Sequence, residues 1–282
     1  MTTPHEALGQ AAAHARNEEV ALARTNVVGF STIVIREFNR IIRIWGQTIV
    51  PPAITATLYF IIFGSLIGSR IGDMGGYTYI QYIAPGLIMM SVITNSYGNV
   101  VSSFFGAKFG KHIEELLVSP LPNWVIIAGY VCGGLMRGIM VGLVVMVVAL
   151  VFTWLNSHHL QVHNLFVVLA ACILTSVVFS LAGMINAVFA KNFDHVNWIP
   201  TFILTPLTYF GGVFYSIDLL PGWAQKISMV NPILHMVNAF RYGFLGTSDV
   251  NVPGAFAIML VCVIGLYIWV QTLLNRGSGI RD

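Results

Sequence analysis

The chain has 282 residues, 56% hydrophobic and only 9% charged, with a formal net charge of +3. A soluble domain carries roughly 25% charged residues and about 45–50% apolar ones, so this chain cannot cover a water-facing surface. Disorder is excluded by the amount of apolar sequence to be buried, which leaves an integral membrane protein with several spans.

Residues 1–29 are polar and alanine-rich, with no apolar core ahead of the first charges. They read as a loose cytosolic leader, neither a secretory signal nor a transit peptide. From 30 to 45, Phe30, Val34, Phe38, Ile41 and Trp45 recur at helical spacing opposite Arg36, Arg40 and Arg43. The pattern predicts an N-terminal amphipathic helix in the cytosolic interface, its arginines turned to lipid phosphates or a protein partner. A plain juxtamembrane anchor fits the same pattern.

Apolar runs follow at 47–68, 83–105, 125–154, 165–190, 198–215 and 253–274. All but the fifth exceed the ~20 residues that cross a bilayer core as a helix, and the fifth is within the usual range of about 17–25. The predicted fold class is an all-α membrane protein with six transmembrane helices. In the second run Ser91, Asn95, Asn99 and Ser102 share a face, and in the fifth Thr201, Thr205 and Thr208 do, followed by Tyr209, Phe210, Phe214 and Tyr215. Asparagine against lipid is costly, so these stripes face either neighbouring helices or a hydrated cavity. In the third run Gly134, Gly138 and Gly142, with Gly129 and Gly133 beside them, suit close backbone packing. Arg137, the one charge inside a span, either snorkels to cytosolic phosphates or faces a cavity.

The loop 106–123 contains a stretch from Lys111 to Val118 that can form two helical turns, stopped by Pro120 and Pro122 and carrying Glu114 and Glu115. It reads as either a docking element or a solvated turn. His158, His159 and His163 share a short outer loop without an accompanying acid or cysteine, which favours a solvated loop over a metal site. Residues 217–246 are mostly apolar but broken by Pro221-Gly222 and Asn231-Pro232. The pieces are too short to cross, which favours a re-entrant helical hairpin before the last span over a loop lying on the membrane. With the N-terminus inside, ten lysines and arginines fall on the cytosolic side and three outside (Arg70, Lys226, Arg241), so both termini are expected in the cytosol.

A phosphate-binding loop of the form G-x-x-x-x-G-K-[ST] is missing. The string from Gly106 to His112 has three residues between its glycines, and His112 stands where the hydroxyl would be. No aspartate or glutamate lies within the six runs, which weighs against proton-coupled transport. Cys132, Cys172 and Cys262 sit in apolar runs and read as small apolar residues.

An amphipathic helix, six spans and a broken segment before the sixth resemble the permease subunits of type-2 ATP-binding-cassette exporters. Local strings agree: Tyr82-Ile-Ala-Pro-Gly86, Glu114-Glu-Leu-Leu-Val-Ser-Pro120, Leu220-Pro-Gly-Trp223, and Asn231-Pro232 leading to Arg241. The wording of 46–122 and 200–246 is especially similar to the YadH-type inner-membrane permeases of Gram-negative bacteria, and the resemblance covers roughly 30–282. It implies a homodimer in the bacterial inner membrane, each half docked on a separate ABC ATPase subunit that holds ATP and magnesium. No cofactor, metal or nucleic acid is expected on this chain. By the same resemblance Glu114, Glu115, Leu116 and Leu117, flanked by Arg36, Arg40 and Arg43, are assigned to coupling. Ser91, Asn95, Asn99, Thr201, Thr205, Thr208 and Tyr209 are assigned to the substrate path, and Phe214, Pro221, Trp223, Asn231 and Pro232 to the outer gate. The expected cargo is amphipathic, lipid-like or drug-like.

Overall fold

The computed structural model describes residues 4–113, 118–119, 121–156 and 162–277, with side chains from Leu22 onward except those of 65, 66, 69 and 71. A first helix, α1, runs unbroken from Pro4 to Arg43, so leader and amphipathic segment form one element about 60 Å long at 1.5 Å per residue. The chain leaves helical geometry at Ile44 and re-enters it in α2, Trp45–Tyr59. Pro51 and Pro52 lie inside α2 and cannot donate to the carbonyls of Gln47 and Thr48. A π-helical stretch, Phe60–Ile67, continues α2 into the single turn α3, Gly68–Ile71. Reversal follows at once, because Gly72, Gly75 and Gly76 take φ of 78°, 57° and 82°, open to glycine and strained for other residues.

Helix α4, Tyr79–Phe109, starts from a reciprocal capping box between Thr78 and Gln81. Helices α5, Asn123–Leu155, and α6, Leu165–Phe189, flank it, and the Asn164 side chain caps α6. The fifth apolar run is not one regular helix. It comprises α7, Phe193–Ile199, a π-helical turn, Pro200–Leu204, and α8, Thr205–Tyr209, beginning before the predicted run and ending before it does. Pro200 and Pro206 withhold two backbone donors, and Gly212 at φ 69° turns the chain out of the helix. After a 3₁₀ turn, Ile217–Leu219, come α9, Gly222–Val230, and α10, Pro232–Leu245, split at Asn231-Pro232 as the sequence predicts. Helix α11, Val252–Arg276, ends the described chain.

Apart from one isolated bridge between Met74 and Tyr77, the ordered elements among the described residues are helical. Among the described residues four stretches are long and apolar enough to cross a membrane: Trp45–Gly64, Asn123–Leu155, Leu165–Phe189 and Val252–Arg276. Helix α4 has 31 residues, ample length, but its serines and asparagines lower its hydropathy. It is the central element, packed on α5, α6 and α10 and buried along most of its length.

The seam between α4, α5 and α6 is made of small residues. A Cβ on Gly138 would lie 2.0 Å from Ser96 Oγ, and one on Gly134 would lie 2.1 Å from Ser180 Oγ. Lipid tails are as apolar as leucine, so helix association in a membrane depends on packing density and hydrogen bonds rather than on apolar transfer. The glycines of α5 supply that density, as their spacing predicts. Helix α10 closes over the opposite end, with Ile233, Leu234, Met236 and Val237 fully buried.

Candidate coupling and transport sites

At the α1 end of the bundle, α1 packs on α5 through Ile33 and Glu37, with Gly29 against Leu121 just before α5 and Ile41 buried on the same side. The apolar face predicted from the spacing lies beside this one and shares Ile41 with it. Of Phe30, Val34, Phe38, Ile41 and Trp45 only Ile41 is fully buried, while Phe38 and Trp45 are 44% and 60% exposed. The reason lies in α5: a Cβ on Gly129 would sit 2.6 Å from Ile33 and one on Gly133 2.8 Å from Glu37. Glycine there lets α1 approach closely along that row.

Glu37 is thereby 1% exposed. Its carboxylate accepts from Arg40 at 2.9 Å, from Ser103 Oγ and, at 3.4 Å, from Asn99 Nδ2. Arg40 also donates to Asn99 Oδ1 at 2.7 Å, to the Asn99 carbonyl at 3.1 Å and to Ser102 Oγ at 3.3 Å. Arg36 donates to Tyr130 Oη at 2.7 Å. Of the three arginines, Arg40 is half-buried and turns onto α4, Arg36 donates to Tyr130 of α5 while its side chain stays 46% exposed, and Arg43 is exposed. Sequence reasoning missed Glu37 and Tyr130. The signal for Glu37 was present, a carboxylate three residues before Arg40 on one helical face.

One turn further along α4 the polar stripe divides. Ser91 and Asn95 line a groove of about 290 Å³ between α2 and α4, walled also by Pro51, Pro52, Thr55 and Tyr59. The groove has no charged lining residue. Asn99 and Ser102, by contrast, belong to the α1 cluster. The Ser91 hydroxyl bonds the Leu87 carbonyl and the Asn95 amide bonds the Ser91 carbonyl, both within α4. An aromatic group closes the far end: Tyr59 Oη and Tyr209 Oη are 3.1 Å apart, and the Phe214 ring lies 5.5 Å from Tyr59, 4.7 Å from Phe63 and 5.8 Å from Tyr209. Tyr209 and Phe214 are thus brought together, with Tyr59 and Phe63 added. The threonines are not: Thr201 and Thr205 are exposed, while Thr208 is buried and bonds the Leu204 carbonyl.

At the hairpin end Arg241, counted with the outer charges by sequence, is completely buried. It donates to the Gly212 carbonyl at 2.6 Å and to Asn238 Oδ1 at 3.3 Å, with its guanidinium 4.1 Å over the Tyr82 ring. Tyr82 Oη and the backbone N–H of Ile217 both donate to Asp249. The lysine-arginine asymmetry stands without Arg241. Among the proposed gate residues, Asn231 caps α10 and donates to the Leu207 carbonyl at 2.6 Å, and Pro232 opens α10. Pro221 precedes α9, and Trp223 is 66% exposed. Glu114, Glu115, Leu116 and Leu117, and with them His158 and His159, lie outside the described residues.

A family model described as ABC-2 type transporter matches residues 28–245, from α1 through α10. The chain belongs to the ABC-2 type transporter family. This ABC-2 chain is 56% identical over 255 residues to the inner membrane transport permease YadH of Escherichia coli K12, covering 90% of this chain and 98% of that one. It is 23% identical over 220 residues to nodulation protein J of Rhizobium leguminosarum bv. viciae, covering 78% and 83% respectively. The matched span of this ABC-2 transporter chain contains the α1 cluster, the groove and the buried Arg241.

Proposed function

We propose that this chain is the membrane subunit of an ATP-driven exporter, a homodimer whose two copies each dock on a separate ABC ATPase subunit that carries ATP and magnesium. The observation that carries the reading is the match at 56% identity over nearly the whole of a protein described as an inner membrane transport permease. In this reading the protein lies in the bacterial inner membrane. Helix α4 and the helical segment 193–209 complete six spans, and α9 with α10 is the re-entrant hairpin. The α1 end and both termini face the cytosol.

The groove between α2 and α4 supports an amphipathic cargo. Its hydroxyl and amide groups can bond a polar head, its prolines and tyrosine can cover an apolar stem, and the absence of charge spares a desolvation cost. Ser91 and Asn95 form the path with Tyr209 and the threonines Thr201, Thr205 and Thr208 of the segment 193–209, while Asn99, one turn away, serves the α1 cluster. Phe214, Pro221, Trp223, Asn231 and Pro232 form the outer gate, and Glu114, Glu115, Leu116 and Leu117 take the thrust of the ATPase. ATP binding closes the ATPase pair, and that closure favours one of two arrangements of the permease dimer.

The test is the double variant Glu114→Ala with Glu115→Ala, assembled with its ATPase in lipid. The variant is expected to fold yet to lose the permease-dependent stimulation of ATP hydrolysis. Normal transport by the double variant would contradict the docking assignment.

A further inference from the structure

The cluster around Glu37 ties α1 to α4 by hydrogen bonds to a buried carboxylate and its arginine. We infer that Glu37 is a positioning residue of the transport cycle: its buried carboxylate locks α1 to the α4 helix, so that displacement of α1 is transmitted along α4 to the hairpin. This rests on the proposed exporter reading.

Three observations carry it. The first is redundancy at one point: Glu37 and Arg40, on one side of α1, make contacts with Asn99, Ser102 and Ser103, spanning a single turn of α4. A carboxylate held at 1% exposure without its arginine would be an uncompensated buried charge, so α1 cannot slide on α4 without carrying the pair along. The second is the close seat at Gly133, where the Glu37 side chain lies against the α5 backbone and a Cβ would stand 2.8 Å from it. The third is the far end of the same helix. Tyr82, in the first turns of α4, lies under the buried Arg241 of α10 and donates to Asp249. Helix α4 is therefore tied by buried polar contacts at both ends, to α1 at one and to α10 at the other. Between them its wall carries Ser91 and Asn95 of the groove, so a shift of α4 alters the groove and the hairpin together.

Sequence alone assigns the arginines of α1 to a partner. The structure instead commits Arg40 to α4 and leaves the exposed side of α1 to the partner.

The experiment uses the full chain assembled with its ATPase in lipid nanodiscs, native cysteines replaced, with spin labels at Asn39→Cys on α1 and Leu219→Cys beside the hairpin. Distances are measured with and without magnesium-ATP in wild type, in Glu37→Gln, and in the exchanged pair Glu37→Arg with Arg40→Glu. Transport per ATP hydrolysed is measured alongside. The wild-type distance is expected to change with ATP. In Glu37→Gln the ATP-dependent change is lost and transport per ATP falls about ten-fold, a coupling loss in the usual range, and the exchanged pair restores part of both. If Glu37→Gln does not assemble, Asn99→Ala, which removes one arm of the cluster, is expected to give the same loss in weaker form. An assembled Glu37→Gln or Asn99→Ala complex with the wild-type distance change and coupling ratio overturns the positioning role. A lowered thermal midpoint with unchanged coupling also overturns it, since that is what a merely structural contact would give. A wild-type chain that takes no ATPase overturns the exporter reading itself.

Discussion

Arg241 sets its guanidinium 4.1 Å from the centre of the Tyr82 ring, so the hairpin helix α10 and the first turns of α4 share one buried cation–π contact. The same guanidinium donates to the Gly212 carbonyl and to Asn238 Oδ1. Hydrogen bonds from charged donors contribute roughly 1.5–3 kcal/mol, and their loss strands the acceptors. Arg241→Met is therefore expected to lower the thermal midpoint of the purified protein by several degrees. Lys226→Met, outside the cluster, is expected to leave it unchanged. Equal midpoints for both variants would refute the role given to Arg241.

The glycine seam makes a graded prediction. A side chain at Gly138 meets Ser96 Oγ at 2.0 Å, whereas nothing lies within 4 Å of a Cβ at Gly98. Overpacking of this kind costs roughly 1–3 kcal/mol. Gly138→Val should destabilise the bundle strongly while Gly98→Ala is tolerated, as read by thermal unfolding and by the yield of monodisperse protein in detergent. A well-behaved Gly138→Val would show that α4, α5 and α6 are not packed this closely.

Tyr59 and Tyr209 supply a double-mutant test. Their hydroxyls bond each other at 3.1 Å, so either substitution to phenylalanine deletes the same interaction. Each single variant is expected to cost about 1 kcal/mol, and the second substitution nearly nothing more. Simple additivity in the measured unfolding free energies would mean that each hydroxyl has another partner.

Ser91 and Asn95 separate function from stability. Each bonds only a carbonyl of its own helix among the described contacts, so neither ties helices together. Ser91→Ala and Asn95→Ala should shift stability by less than about 0.5 kcal/mol. If these residues meet the cargo, transport of a polar-headed amphiphile falls several-fold while the unfolding midpoint holds. Unchanged transport in both variants would remove the groove from the path.

Much of this was legible in the sequence. Four of the six apolar runs, 83–105, 125–154, 165–190 and 253–274, each correspond to one long helix, and the interval of four between Gly134, Gly138 and Gly142 marks the packing seam. Asn231-Pro232 gave the break between α9 and α10, since proline starts a helix that asparagine caps. What escaped did so for physical reasons. The face that α1 buries is chosen by Gly129 and Gly133 of another helix, which no periodicity within α1 reveals. Arg241 reads as an outer charge because only tertiary contacts with Gly212 and Tyr82 can compensate its burial. The α4 stripe looked uniform, yet a single turn separates Asn95, in the groove, from Asn99, bound to Arg40. The fifth run seemed one helix because proline shifts hydrogen-bond register without changing hydropathy.

The central claim is that this permease works only with an ATPase. The most direct measurement co-expresses the tagged chain with the reading frames adjoining its gene, identifies what co-purifies, and assays ATP hydrolysis and transport in lipid. The account predicts a complex of two permease and two ATPase copies, with hydrolysis stimulated by the permease and transport abolished without ATP. A permease that purifies without any ATPase, and moves solute down a gradient alone, would contradict it.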